Sequence, residues 1–533
     1  SSSPSNLTAV GSTLYFSAHD GINGPELWKS DGTAAGTVMV RNINPFQGSG
    51  SSPFELTAVG STLYFRANDG TNGTELWKSD GTFAGTVMVE DINAGTGSSS
   101  PSELTAVFST IYFRAFDGTN GTELWKSDGT AVGTVLVKDI RAGTSSSFPS
   151  QLTAVGSTLY FSANDGTNGT ELWESNGTFA GTVLLKDIRV GNLSSSPSEL
   201  TAVGSTTLYF RANDGISGSE LWVSDGTAAN TVLVKDILAG TSSGFPSQLT
   251  AVGSTLYFRA SDGLTGSELW KSDGTAANTV LVKDILAGTS SSSPSELTAV
   301  GSTTLYFRAN DGISGSELWV SDGTAAGTVL VNDINPGQGN SNPQNFSVIG
   351  AIVYFAAYDG TNGNELWRSD GTSGGTSMVA DIGLVGGNSN LSSMVTIDGV
   401  SYFTANDGTS NNNALWRTDG TAAGTVLVKD ISVSNLTAVG STLYFRASDD
   451  TNGSELWKSD GTAAGTELVK DIFAGTSSSF PSSLAAVGST LYFSANDGVT
   501  GAELWKSDGT AAGTVQVKDI IFGTGSSLSL IHI

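Results

Sequence analysis

The sequence reads as an all-β chain, a β-propeller of eleven four-stranded blades of about 48 residues each. Its eleven tryptophans stand at 28, 77, 125, 173, 222, 270, 319, 367, 416, 457 and 505, so their spacing is 48 or 49 residues everywhere except one step of 41. Between them, short β-prone segments alternate with clusters of Gly, Asn, Asp and Ser, while no segment carries apolar residues at helical spacing for three turns. A fixed period in the range of about 40–50 residues, filled with short strands, marks a blade or a similar repeated unit.

Each strand of a blade can be read in turn. In the third unit the segments are "ELTAV" (103–107), "TIYFRA" (110–115), "TELWKS" (122–127) and "TVLVKDI" (134–140). The first connection is tight ("GST" in most units), the next two are medium ("NDGTNG" and "DGTAAG"), and the fourth is long, as in "AGTSSSSPSE" at 287–296. A long link carries the chain from the outer edge of one blade to the inner strand of the next, which puts "LTAV" innermost and "VLVKDI" outermost. The uncharged "LTAV" suits an inner strand packed among neighbours, where burying a charge is costly. The boundaries expected are 1–48, 49–97, 98–145, 146–193, 194–242, 243–290, 291–339, 340–386, 387–433, 434–477 and 478–525, followed by a tail strand at 526–533. The short step of 41 falls where "KDISVSNLTAV" (429–439) has lost most of the Ser-rich link, so the link is expected to be dispensable.

Alternation places Leu63, Phe65 and Ala67 on one face of their strand and Tyr64 and Arg66 on the other. Both faces carry bulk, as a sheet sandwiched between two others requires. The tryptophans are expected at blade interfaces; the competing reading is a stacking platform for sugar rings, repeated at Trp77, Trp125, Trp270, Trp457 and Trp505.

The formal charge of −26, from 50 acidic and 24 basic residues, repels a phosphate backbone, so nucleic acid is not an expected partner. No run of eighteen apolar residues offers a membrane span, and the start "SSSPSNLTAV" has the look of a mature or trimmed end. With no cysteine there are no disulfides or thiolate sites. Most of the acidic residues recur in every unit. In "SDGT", Asp80 and Gly81 suit a turn whose carboxylate accepts backbone N–H bonds, and Glu75 is expected to pair with a cation such as Arg66. Calcium is the one metal these acids suggest: Asp69, Asn72 and Glu75, with the equivalent Asp117, Asn120, Glu123 and Asp165, Asn168, Glu171, supply hard oxygen ligands at offsets of zero, three and six. The spacing matches neither an EF-hand loop nor the nonapeptide of calcium-binding β-rolls.

With histidine only at 19 and 532, no repeated His-based triad exists, and the acid pairs belong to all blades instead of one pocket. The chain is therefore expected not to be an enzyme and to need no cofactor.

"ELWKSDGTAAGT" at 455–466, "ELWKSDGTFAGT" at 75–86 and "ELWRSDGTSGGT" at 365–376 resemble the repeats of bacterial ELWxxDGT-repeat proteins. The likeness recurs in all eleven units, with departures at "ALWRTDGT" (414–421) and "ELWESNGT" (171–178). It implies a propeller-like repeat in large secreted or surface-attached bacterial proteins and brings no common catalytic activity. On that basis the chain is expected to be extracellular, secreted or attached to a cell surface.

Equal units favour one ring over two smaller propellers or an open arc, although the divergent stretch 383–403 could mark a boundary. Closure commonly uses a strand exchanged between the two ends, and the β-prone tail "SLSLIHI" (527–533) is expected to add an edge strand, close the ring or pair with a second molecule. Two functions follow. The first is a scaffold or adhesion module that meets other proteins, or copies of itself, through edges or loops. The second is a multivalent carbohydrate binder.

Overall fold

The computed structural model describes residues 1–46, 48–383, 387–409 and 413–520, and within them every regular element is a β-strand. The first blade is β1 (Ser5–Val10), β2 (Thr13–His19), β3 (Pro25–Ser30) and β4 (Val38–Arg41), and the second is β5 (Phe54–Val59), β6 (Thr62–Asn68), β7 (Thr74–Ser79) and β8 (Val87–Glu90). All eleven sheets repeat this antiparallel meander, in which strand order in space follows the sequence. The eleven sheets form one closed ring, with first strands innermost.

The inner strand carries a bulge that the alternation pattern does not reveal. Between Phe54 and Thr57 its register against β6 slips, and Glu55 sits at φ 54°. A polar residue takes the same left-handed conformation in every blade, for example Asn6, Gln151 and Ser393. A bulge of this kind bends the strand and turns it at the axis of the ring.

The core lies between blades rather than within them. At the first junction Val10, Tyr15, Leu27, Val40 and Ile43 of blade one meet Leu63, Phe65, Ala67 and Trp77 of blade two. At the second, Tyr64, Leu76, Val89 and Ile92 meet Ile111, Phe113, Ala115 and Trp125. Each large apolar side chain so buried contributes about 1.5–3 kcal/mol, so the junction is the unit of stability. Blades eight and nine pack in the same way, Tyr354, Leu366 and Val379 against Phe403 and Ala405; the divergent stretch is not a boundary.

The ring closes through an eleventh cluster, in which Val487, Tyr492, Leu504, Val517 and Ile520 receive Leu14, Phe16, Ala18 and Trp28. Among the described residues no strand is exchanged: blades one and eleven each consist of consecutive strands. Instead, residues 1–3 occupy the place of an interblade link. Ser3 N–H donates to the Ala502 carbonyl (2.8 Å), Ser2 N–H to Glu503 Oε1 (2.8 Å) and His19 N–H to the Ser2 carbonyl (2.9 Å). The expected tail strand at 526–533 lies outside the described residues.

Candidate functional site

The repeated dozen "ELWKSDGTFAGT" can be followed from residue 75 to residue 86. Glu75 is fully buried. Its carboxylate accepts Ile92 N–H (3.0 Å), Ser99 N–H (2.7 Å) and the Ser99 hydroxyl (2.5 Å), so it pins the end of its own outer strand and the link to the next blade. It does not pair with Arg66, which lies 3.8 Å from Glu55 on the inner strand. Leu76 faces the following blade and Trp77 the preceding one. Ser79 bonds Thr86 across the turn (2.7 Å) and accepts Gly81 N–H (2.9 Å).

Asp80 Oδ1 accepts the Thr82 amide (2.8 Å) and hydroxyl (2.7 Å), and Gly81 has φ 85°. A side chain at Gly81 would also meet the Tyr15 hydroxyl of blade one, and one at Gly85 would overlap the Asp80 carboxylate. The motif is thus a turn locked by its own polar groups and fitted against the preceding blade.

Blade nine shows what the glutamate is for. There Ala414 replaces it, the Ser-rich link is missing, and the chain runs directly into a longer inner strand, with Val433 N–H donating to the Asn413 carbonyl (2.8 Å). Ala414 and Val433 are both buried. Link and glutamate disappear together because an unpaired buried carboxylate would be costly. Blade nine keeps its four strands without the link, as expected, and the structure adds that the acceptor of the link is lost with it. The pairing of Ala414 with the short step was the sequence signal for this clamp.

Trp77, Trp125, Trp270, Trp457 and Trp505 are 4–8% exposed and offer no stacking face to a solvent ligand. Of the eleven, Trp416 alone is half-buried. A cation from the preceding blade's outer strand covers many of these rings, as with Arg41 over Trp77 (5.8 Å) and Lys138 over Trp173 (5.9 Å). Where that position holds Glu90 or Asn332, the following Trp125 and Trp367 are 8% exposed, against 4–5% for the cation-covered rings.

Asp69 Oδ1 accepts the amides of Thr71 (2.8 Å) and Asn72 (2.6 Å), and its Oδ2 accepts Asn72 Nδ2–H (2.6 Å). Asp117 with Asn120 and Asp165 with Asn168 repeat this turn. Glu123 and Glu171 repeat the clamp of Glu75, on Ile140 with Ser147 and on Ile188 with Ser195. The residues considered for calcium thus divide between two hydrogen-bonded tasks. Among the described residues no group of three or more His, Asp or Glu side chains is placed to hold a metal ion.

Burial drives the Glu75 carboxyl up to about 7, against the lowering effect of its Ser99 and Ile92 donors, and nearby Asp91 adds to the rise. The Ser99 hydroxyl also lies 3.3 Å from the Thr74 carbonyl. It can donate to an ionised Glu75, or accept from a protonated one while donating to Thr74, so the clamp tolerates both states.

An eleven-bladed β-propeller with a self-contained repeat is therefore the class of protein this chain belongs to by fold. No protein-family model matches it, and no curated protein is similar to it in sequence. Solved structures similar to it include one from a study of two prolyl endopeptidases (11% identity, TM-score 0.32, covering 60% of this chain and 49% of that one). Puromycin hydrolase (12%, 0.28, 76% and 59%) and the tricorn protease (12%, 0.27, 97% and 58%) are others. This chain spans about half to three-fifths of the length of those proteins. At this identity the likeness concerns the fold alone. The expectation that the chain is not an enzyme is withdrawn: the solved proteins named here are hydrolytic by name. Among the described residues no helix is long and apolar enough to cross a membrane.

Proposed function

We propose that the ring is an extracellular or cell-surface scaffold or adhesion module that joins other proteins, or further copies of itself, through its interblade links. The observation that carries this reading is the set Phe148, Phe245 and Phe480. Each stands immediately before a proline at an equivalent position in its link, each is 61% exposed, and each has φ 49°. A bulky residue in the left-handed region costs about 1–3 kcal/mol, and an exposed ring recovers little of that within the fold. Phe83 and Phe179, also exposed, differ in having partners in the chain, Arg41 and Lys138 over their rings.

The turns between second and third strands, at the same end of the blade as the links, add exposed Ile22, Ile216, Leu264, Ile313 and Val499. Apolar side chains grouped at one end of a strongly acidic ring suit contact with a partner surface. The resemblance to ELWxxDGT-repeat proteins supports the extracellular setting, and the burial of the tryptophans weighs against a repeated carbohydrate platform. Replacing Phe148, Phe245 and Phe480 together by Ser tests the reading. Assembly or surface adherence, followed by light scattering and cell binding, is expected to fall with the near-ultraviolet dichroism of the ring unchanged. Undiminished assembly and adherence in the triple variant would refute it.

A further inference from the structure

At the end of the ring opposite the links, most junctions carry a cation at the position after the tryptophan. Six lysines (29, 78, 126, 271, 458, 506) and two arginines (368, 417) stand there, and the three exceptions are Glu174, Val223 and Val320. The lysine stem lies along the next blade's turn. Lys78 Cδ sits against Gly129, beside the Tyr64 hydroxyl, and Lys29 Cδ sits against Gly81, beside Tyr15. Asp128 in that turn is held below the usual carboxylate range chiefly by the Thr130 hydroxyl and amide, and Lys78 adds to the effect. The lysine therefore fills a groove whose floor is a glycine, whose wall is a tyrosine and whose rim is an aspartate.

Between blades five and six the groove persists without its lysine. Val223 meets Gly274 through Cγ2 and reaches no further, with the Tyr209 hydroxyl alongside. A cavity of about 780 Å³ opens there, lined by Val203, Tyr209, Val223 and Val232, with Asp225 and Asp273 at its edge. Its inner wall, the turn Gly204–Thr207, is one residue longer than the "GST" turn of most blades. Asp273 accepts the Thr275 amide (2.9 Å) and hydroxyl (2.7 Å) and Asn278 Nδ2–H (2.7 Å), and Asp225 is held alike by Thr227 and Asn230. The corresponding Thr130 bonds onto Asp128 coexist with the pull of Lys78 on that carboxylate, and the added Asn278 and Asn230 bonds here occupy one lone pair of each Oδ2, leaving the others to face an ammonium. Both aspartates are exposed, while Tyr209 is buried.

From this geometry we infer that the cavity between blades five and six binds a primary alkylammonium group, above all the side chain of a partner's lysine. Its methylenes would lie along Val223 and Gly274, and its ammonium would face Asp273 and Asp225. The methylene stem accounts for the apolar lining and the charge for the acidic rim; a neutral sugar would use neither. Between blades seven and eight Val320 meets Gly371 through Cγ2 with the Tyr306 hydroxyl alongside, in a blade that shares the longer turn. The chemistry of the cavity is independent of how rings assemble.

The probes are Nα-acetyl-lysine methylamide, its Nε-acetylated form and 1-aminopentane, titrated against the whole ring by NMR with reporters at Val223 and Gly274. Saturable shifts are expected with the first probe and none with the second, and binding should weaken at least several-fold as salt is raised. Val223→Lys should abolish the shifts at this cavity while the ring stays folded, since six blades already carry lysine there. Asp273→Asn should weaken binding several-fold without loss of the turn, because Asn176 makes the same Thr bonds in blade four. Tighter binding of the lysine probe than of 1-aminopentane assigns the group to a protein partner, and equal binding assigns it to free amines as well. Absence of saturable shifts with either amine, or unchanged shifts in Val223→Lys, overturns the inference.

Discussion

Lys518, at the end of the last blade, lies 5.9 Å over the ring of Trp28 in the first. The contact that Arg41 makes with Trp77 and Lys470 with Trp505 thus recurs across the seam between the chain's two ends. The seam has the same cation, the same apolar cluster and, through Ser2 and Glu503, the same clamp as a covalently linked junction.

The missing cation at blade two gives a stabilising substitution. Glu90→Lys should cover Trp125 and give its ammonium the Thr134 carbonyl, as Lys138 donates to that of Thr182 (2.8 Å). A gain of about 0.5–1 kcal/mol is expected, read as a higher urea midpoint. Lys518→Ala should lose a similar amount. An unchanged midpoint in both variants would show that covering the indole contributes nothing.

Glu75→Ala strands three donors, Ile92 N–H, Ser99 N–H and the Ser99 hydroxyl. A cost of about 3 kcal/mol or more is expected, with faster hydrogen exchange at Ile92 and Ser99. The alanine already present at 414 offers no precedent, since its blade has no link to hold.

Acidity should stabilise the ring. Glu26, Glu75, Glu123, Glu171, Glu220, Glu268, Glu317, Glu365 and Glu503 are each raised to about 7, chiefly by burial. A carboxyl whose folded pKa lies above its unfolded value binds more protons when folded. Its stabilisation is complete below about pH 4.5 and is lost as pH rises through about 7. The turn aspartates oppose this in stronger acid: Asp80, lowered chiefly by the Thr82 amide and hydroxyl, stabilises above its unfolded value and ceases to do so as pH falls through its folded one. The unfolding temperature should therefore be higher at pH 5 than at pH 8. A higher value at pH 8 would mean that the three donors, rather than burial, govern these glutamates.

Chelation should leave the ring intact. Asp69 and Asn72 satisfy each other, and Glu75 is committed to the link. Unfolding temperature and ring images with and without EDTA are expected to coincide. A drop of several degrees restored by calcium would return these turns to the status of metal sites.

The sequence by itself determined the repeat, the four strands of each blade, their inner-to-outer order and the turn built on Asp80 and Gly81, because alternation and turn chemistry act over a few residues. Contacts between distant parts of the chain were decided only in the tertiary structure. The partner of Glu75 is a serine 24 positions away rather than the Arg66 of the neighbouring strand, and the cover of Trp28 comes from Lys518. The number of blades that close is likewise a property of the angle at each junction. That angle is set by how Phe65 and Trp77 on one sheet fit against Tyr15 and Leu27 on the next, and packing of this kind has no local signature in the chain.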